Sequence, residues 1–69
     1  MKQLVMKQIL AISTRIDQAT RNGRPELQTR LRAARTSLVV YLRTEHHVEA
    51  LIHLDGRVEF LPTAGREAA

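Results

Sequence analysis

The tetrapeptide Asn22-Gly23-Arg24-Pro25 separates two segments in which apolar residues recur every three or four positions. The first apolar stripe consists of Val5, Ile9, Ile12, Ile16 and Ala19. The second consists of Leu27, Leu31, Ala34, Leu38 and either Tyr41 or Leu42. This spacing keeps each stripe on one side of an α-helix. Because a break this short folds two helices back antiparallel, the sequence predicts a helical hairpin.

The residues of the break also set the helix ends. Gly23 stands where a helix favours a left-handed residue after its last turn, and glycine adopts that conformation without steric cost. Pro25 suits the first turn of the next helix, where its missing N–H is not needed. We therefore expect helix 1 over residues 2–21 and helix 2 from residue 25 to about 43.

The end of helix 2 has two interpretations. The apolar spacing continues through Leu42, which favours a helix to about Arg43. The neighbours Val39 and Val40 are β-branched, which favours a strand over residues 37–43. The sequence leaves both interpretations open.

A β-hairpin is predicted from about Val48 to Leu61, around Leu54-Asp55-Gly56. A two-residue Asp-Gly turn would mix apolar and polar residues on both faces. A three-residue loop with a left-handed Gly56 pairs Ile52 with Val58 instead. Successive side chains of a strand alternate between its two faces. The apolar face of the ribbon then carries Val48, Ala50, Ile52, Val58 and Phe60, and the more polar face carries Glu49, Leu51, His53, Arg57 and Glu59.

The predicted fold class is therefore α+β, an antiparallel helical hairpin followed by a C-terminal β-hairpin. We expect one domain over residues 1–62. Pro62 should end strand pairing, and residues 63–69 should form a disordered tail.

Size and composition favour self-association. A chain of 69 residues has a core that contributes only about 3–5 kcal/mol. Cysteine is absent, so neither disulfides nor thiolate metal sites are available to strengthen it. Met6 and Leu10 widen the apolar face of helix 1, and Leu51 is apolar on the polar face of the ribbon. We therefore expect a twofold homodimer through Met6, Leu10 and Leu51.

No pattern of catalytic or cofactor-binding residues is present. Ser13 and Ser37 lie in predicted helices without a glycine-rich elbow, and there is no phosphate-binding loop. His46, His47 and His53 cannot converge on one ion from the positions that a strand gives them. We expect no enzymatic activity, no cofactor and no metal.

A membrane location is not expected either. No stretch of about 20 apolar residues is present. Lys7 and Gln8 interrupt the apolar run near the N-terminus, which argues against a signal peptide. The expected location is the cytoplasm.

The arginines point to a protein partner. Arg32, Arg35 and Arg43 lie on one flank of helix 2 with Val39 among them, and Arg21 and Arg24 lie at the tip of the hairpin. Arginine with apolar neighbours is typical of protein interfaces, because the planar guanidinium binds carboxylates and also packs flat. We predict that these six residues bind an acidic patch of a partner protein.

Nucleic acid is the alternative partner. The net charge is +4, and Ala19 and Gly23 have the spacing of a helix-turn-helix. Thr29 and Arg32 occupy positions where that motif requires apolar residues. The alternative function is a small basic DNA-binding regulator.

Two runs carry a family resemblance: MKQLVMKQILAISTRIDQATRNGR (residues 1–24) and LVVYLRTEHHVEALIHLDGRVEFL (residues 38–61). They resemble the small accessory proteins of temperate bacteriophages that bind and inhibit host regulators, including those acting against quorum-sensing activators. The resemblance implies an intracellular inhibitor that occupies the DNA-binding or assembly surface of a host regulatory protein. It assigns no role to an individual residue.

Overall fold

Two helices are followed by a two-stranded antiparallel sheet in a computed structural model, which describes residues 1–63. Helix α1 spans Lys2–Arg21 and helix α2 spans Pro25–His46. Strand β1 spans Val48–Ile52 and strand β2 spans Val58–Pro62. The prediction of an α+β fold with a helical hairpin and a C-terminal β-hairpin is confirmed. Residues 37–43 are helical, so the strand interpretation of that segment is wrong.

The turn between the helices forms as its sequence predicts. Gly23 is left-handed, with a φ of +65°. Its N–H donates to the Thr20 carbonyl at 3.2 Å, and the Arg24 N–H donates to the Ala19 carbonyl at 2.9 Å. This pair of bonds is the Schellman motif, which satisfies carbonyls that the helix end leaves free. Pro25 then begins α2 in its first turn.

Helix α2 continues three residues beyond the predicted end at Arg43. Neither glycine nor proline interrupts residues 44–46, so nothing in that stretch stops the helix. His47 ends it in a left-handed conformation, with φ of 55° and ψ of 38°, and its N–H donates to the Leu42 carbonyl. Histidine is among the non-glycine residues that enter this region more often. Strand β1 begins directly afterwards.

The core lies where the two helices meet the ribbon. Val5, Ile9 and Leu42 form its centre, and the side chains of Ile9 and Leu42 are 0% exposed. Leu42 therefore fills the last core position of α2, whereas Tyr41 is 43% exposed. The half-buried apolar residues around this centre are Met6, Leu38, Val39, Val48, Val58 and Phe60.

Helix α2 turns a different side toward α1 than its apolar spacing predicts. Leu27 and Ala34 were expected on the buried side, with Tyr41 as one of two candidates for the last position, and all three are exposed. The buried and half-buried positions of α2 are Gln28, Leu31, Arg35, Leu38, Val39, Leu42 and His46. At about 100° per residue, the centre of this set is roughly 60° from the predicted one. The ribbon explains the rotation, because it packs against the side of α2 that carries Leu42 and Val39.

The β-hairpin has the predicted register and turn. Ile52 pairs with Val58, and the His53 N–H donates to the Arg57 carbonyl at 2.8 Å. Gly56 has a φ of +94°, and its N–H donates to the His53 carbonyl at 3.0 Å. The three-residue loop with a positive-φ glycine is thus confirmed.

Strand pairing ends at Pro62, as predicted, but the next residue is not free of contacts. Pro62 pairs with Val48 as the last pair of the sheet, a position at the strand end that tolerates proline. Thr63 was assigned to the tail, but it is 5% exposed and its N–H donates to the His47 carbonyl at 2.9 Å. The rest of the predicted tail lies outside the described residues.

The turn gives a direct test of the hairpin. Gly56→Val should destabilise the fold by roughly 1–2 kcal/mol, because a β-branched residue tolerates positive φ poorly. The space around Gly56 is open, so a clash would not contribute. Asp55→Ala removes two bonds from Arg57 to the Asp55 carboxylate, both on the exposed surface, and should cost less. Urea unfolding of the two variants checks this order, and equal midpoints would contradict the turn.

Candidate protein-interaction surface

The molecule leaves much of its apolar surface exposed. Within residues 1–63, five hydrophobic residues are buried, whereas ten large ones are exposed. The exposed ten are Met1, Leu4, Leu10, Leu27, Val40, Tyr41, Leu51, Ile52, Leu54 and Leu61. Single exposed apolar side chains are ordinary, whereas contiguous apolar patches mark surfaces that other molecules cover.

One exposed surface combines arginine with an apolar side chain. Arg32, Thr36, Val40 and Arg43 fall within about 80° on α2, at about 100° per residue, and all four are exposed. We call this set the arginine flank. The guanidinium groups of Arg32 and Arg43 form no hydrogen bond or ion pair with the residues that the structure describes. Both are therefore available to carboxylates of a partner.

Arg35 does not belong to this flank. It is half-buried, and its Nη1 donates to Ser13 Oγ of α1 at 3.2 Å. Burial lowers the pKa of the Arg35 guanidinium, and the nearby charge of Arg32 lowers it further. The sequence placed Arg35 on the same flank as Arg32 and Arg43, but the rotation of α2 brings Arg35 over α1 instead.

Val39 also has an intramolecular role. It was expected outside the apolar arc of helix 2, as part of the partner surface. In the structure it is half-buried and packs against the core centre of Val5, Ile9 and Leu42. Its neighbour Val40 is exposed instead and joins the arginine flank.

Arg21 and Arg24 lie at the tip of the helical hairpin, as predicted. Arg21 forms an exposed ion pair with Asp17, with 2.9 Å between Nη2 and Oδ2. Arg24 is exposed, and its side chain has no partner within residues 1–63. It borders a shallow depression with Leu27 and Arg30. Of the six residues predicted to bind a partner, three are exposed and their side chains have no partner in the described part of the chain: Arg24, Arg32 and Arg43.

Of the three residues predicted for the dimer, Met6 and Leu10 lie one turn apart on α1, and Leu51 lies on the ribbon. Met6 is half-buried and packs against the core centre of Val5, Ile9 and Leu42. Leu10 is exposed on α1. Leu51 is exposed on the ribbon face that alternation turns away from the core residues Val48 and Phe60.

A further exposed stripe follows α2 and was not recognised from the sequence as a surface. It consists of Leu27, Leu31, Ala34, Leu38 and Tyr41, and we call it the outer stripe. Leu31 and Leu38 are half-buried and the other three are exposed. The same spacing that predicted a core position creates this surface, so apolar periodicity alone cannot tell the two apart.

The histidines are placed differently from the strand positions expected for them. His46 is the last residue of α2, and its ring lies 5.7 Å from that of Tyr41 in an edge-on arrangement. Its Nε2 is buried and has no hydrogen-bond partner among residues 1–63. His47 is the left-handed cap of α2. His53 pairs with Glu59 across the ribbon. No three acidic or histidine side chains within residues 1–63 form a group that would hold a metal ion.

Comparison with known proteins identifies no relative. The chain matches no protein-family model, no curated protein and no solved structure. Residues 1–63 contain no helix with the length and apolarity needed to cross a bilayer.

The contact of Arg35 with Ser13 predicts that Arg35 contributes more to stability than the exposed Arg32 does. Arg35→Ala should lower the free energy of unfolding by about 1 kcal/mol, because it removes a hydrogen bond and the packing of the arginine stem. Arg32→Ala removes an exposed side chain from the same helix and should change stability by less than about 0.5 kcal/mol. Thermal unfolding of both variants measures the difference. A larger loss of unfolding free energy for Arg32→Ala than for Arg35→Ala would show that Arg32, and not Arg35, contacts α1.

Proposed function

We propose that this chain is a non-catalytic inhibitor that binds a host regulatory protein and blocks its DNA-binding or assembly surface. The observation that carries the proposal is the arginine flank, where two guanidinium groups without a partner in residues 1–63 border an exposed valine on α2. The resemblance to bacteriophage accessory proteins supplies the class of target, a regulator such as a quorum-sensing activator. The site of action would be the host cytoplasm.

The chemistry of the flank favours a protein partner with an acidic patch. Arg32 and Arg43 present planar donors that match carboxylates, and Val40 adds apolar contact between them. A DNA-binding surface is itself basic and would repel these arginines. We therefore expect direct contact on an acidic assembly surface of the regulator, with DNA binding blocked as a consequence.

A small basic DNA-binding regulator is the second candidate, and the net charge of +4 favours it. The two candidates differ in their dependence on salt. For duplex DNA, the logarithm of affinity falls with the logarithm of salt concentration, with a slope of about −0.9 for each phosphate contacted. A protein interface that buries apolar surface as well as charge should depend less steeply on salt.

Paired charge reversals test the proposal. Immobilised protein is exposed to a nuclease-treated lysate of quorum-sensing bacteria, and retained regulators are identified and titrated against each variant. Arg32→Glu with Arg43→Glu should weaken binding at least about tenfold, because it opposes an acidic patch with two carboxylates. Lys2→Glu with Lys7→Glu is the matched control, since it makes the same change in net charge on exposed positions of α1.

Three outcomes are informative. Loss of binding with the arginine pair alone supports the proposal. Equal weakening by both pairs, with duplex DNA bound in a steeply salt-dependent manner, supports the DNA-binding candidate instead. Unchanged regulator binding by the arginine pair would contradict the arginine flank as the binding surface.

A further inference from the structure

The outer stripe of α2 lies on the side of the helix away from the arginine flank. Its exposed members Leu27, Ala34 and Tyr41 project within about 40° of one another, at about 100° per residue. We propose that this stripe pairs two copies of the chain, with the α2 helices antiparallel about a twofold axis. This pairing does not depend on the host partner proposed above.

The spacing of the outer stripe is that of a helix–helix contact. Residues 27, 31, 34, 38 and 41 alternate steps of four and three, which is the repeat of coiled-coil core positions. Leu31 and Leu38 are only half covered, and they border α1 beside Ile12 and Arg15. A second helix laid along the stripe would cover the remaining apolar surface of all five residues.

Side-chain size favours the antiparallel arrangement. Core positions of antiparallel helices pair so that Ala34 of one copy faces Leu38 of the other, and Leu31 faces Tyr41. The small Ala34 thus opposes the larger Leu38 near the axis, which favours a close approach of the two helices. The twofold axis repeats each of these contacts, so one stripe is complementary to itself.

The charges at the two ends of the outer stripe also favour antiparallel pairing. Glu45 lies in line with Leu27, five helical turns along α2, whereas Arg24 and Arg30 flank Leu27 itself. Antiparallel pairing brings Glu45 of the second copy to these arginines at each end. Parallel pairing would place like charges together. None of the three charged groups has an ion-pair partner within residues 1–63.

The small core gives a reason for the pairing. The centre of the core is only three residues, and ten large apolar side chains remain exposed in the described part of one copy. Chains of this size usually gain stability from a disulfide, a metal or a second chain, and this chain has no cysteine. Pairing through α2 supplies a second layer of helices and leaves both arginine flanks exposed.

Two adjacent alanines provide the test. Ala34 lies in the outer stripe, and Ala33 lies about 100° away on the same helix, and both are exposed within one copy. Ala34→Glu should raise the dimer dissociation constant at least about tenfold, because it places an unpaired carboxylate in the helix contact. Ala33→Glu makes the same chemical change outside the contact and should leave the constant within about twofold of wild type.

Sedimentation equilibrium of wild type and both variants gives the readout, with circular dichroism to confirm retained helix content. We expect wild type and Ala33→Glu at twice the 7.8 kDa chain mass at micromolar concentration, and Ala34→Glu near the chain mass. A monomeric wild type would overturn the proposal. A dimeric Ala34→Glu variant would also overturn it. Leu10→Glu is measured as well, because a monomeric Leu10→Glu variant beside a dimeric Ala34→Glu variant would locate the contact on α1.

Discussion

The packing of Leu42 against Val5 and Ile9 is the contact on which the other contacts of this molecule depend. Leu42 and Ile9 are fully buried, and the ribbon residues Val58 and Phe60 pack against the same centre. Full burial of one leucine side chain stabilises a fold by about 1.5–3 kcal/mol, a large share of what so small a core provides. Because one contact joins both helices to the ribbon, it also fixes how α2 is rotated. That rotation determines which side chains of α2 are exposed at the surface.

Short-range sequence patterns predicted the helices, the strands and their turns. They did not predict which side of α2 is buried, because the ribbon also packs against that helix. The Gly23 cap and the positive φ of Gly56 depend on a few neighbouring residues, so the sequence located both turns correctly. The face of α2 was misplaced because apolar spacing describes one helix at a time. The ribbon packs against Leu42 and Val39, which no periodicity within residues 25–46 encodes. Arg35 was assigned to the partner surface for the same reason.

Helix α2 presents three sides, of which one forms the core and two carry the proposed interactions. One side forms the core through Leu42, and the proposed pairing of copies uses the outer stripe around Ala34. The arginine flank lies on the remaining side with Arg32 and Arg43. If two copies pair as proposed, their two flanks face away from the twofold axis and present two basic surfaces. A dimeric regulator with two acidic patches would then bind with the advantage of bivalency.

The rotation of α2 about its own axis determines which of its side chains form the core, and methyl-to-methyl and ring-to-methyl nuclear Overhauser effects in solution measure that rotation directly. We expect strong effects between the Leu42 methyl groups and those of Val5 and Ile9, because the three side chains form one buried cluster. We expect none from the Tyr41 ring to Ile9, since Tyr41 is on the exposed side. Strong effects from Tyr41 to Ile9, with Leu42 lacking contacts to Val5, would show that α2 is rotated the other way and that Leu42 is not the centre of the core.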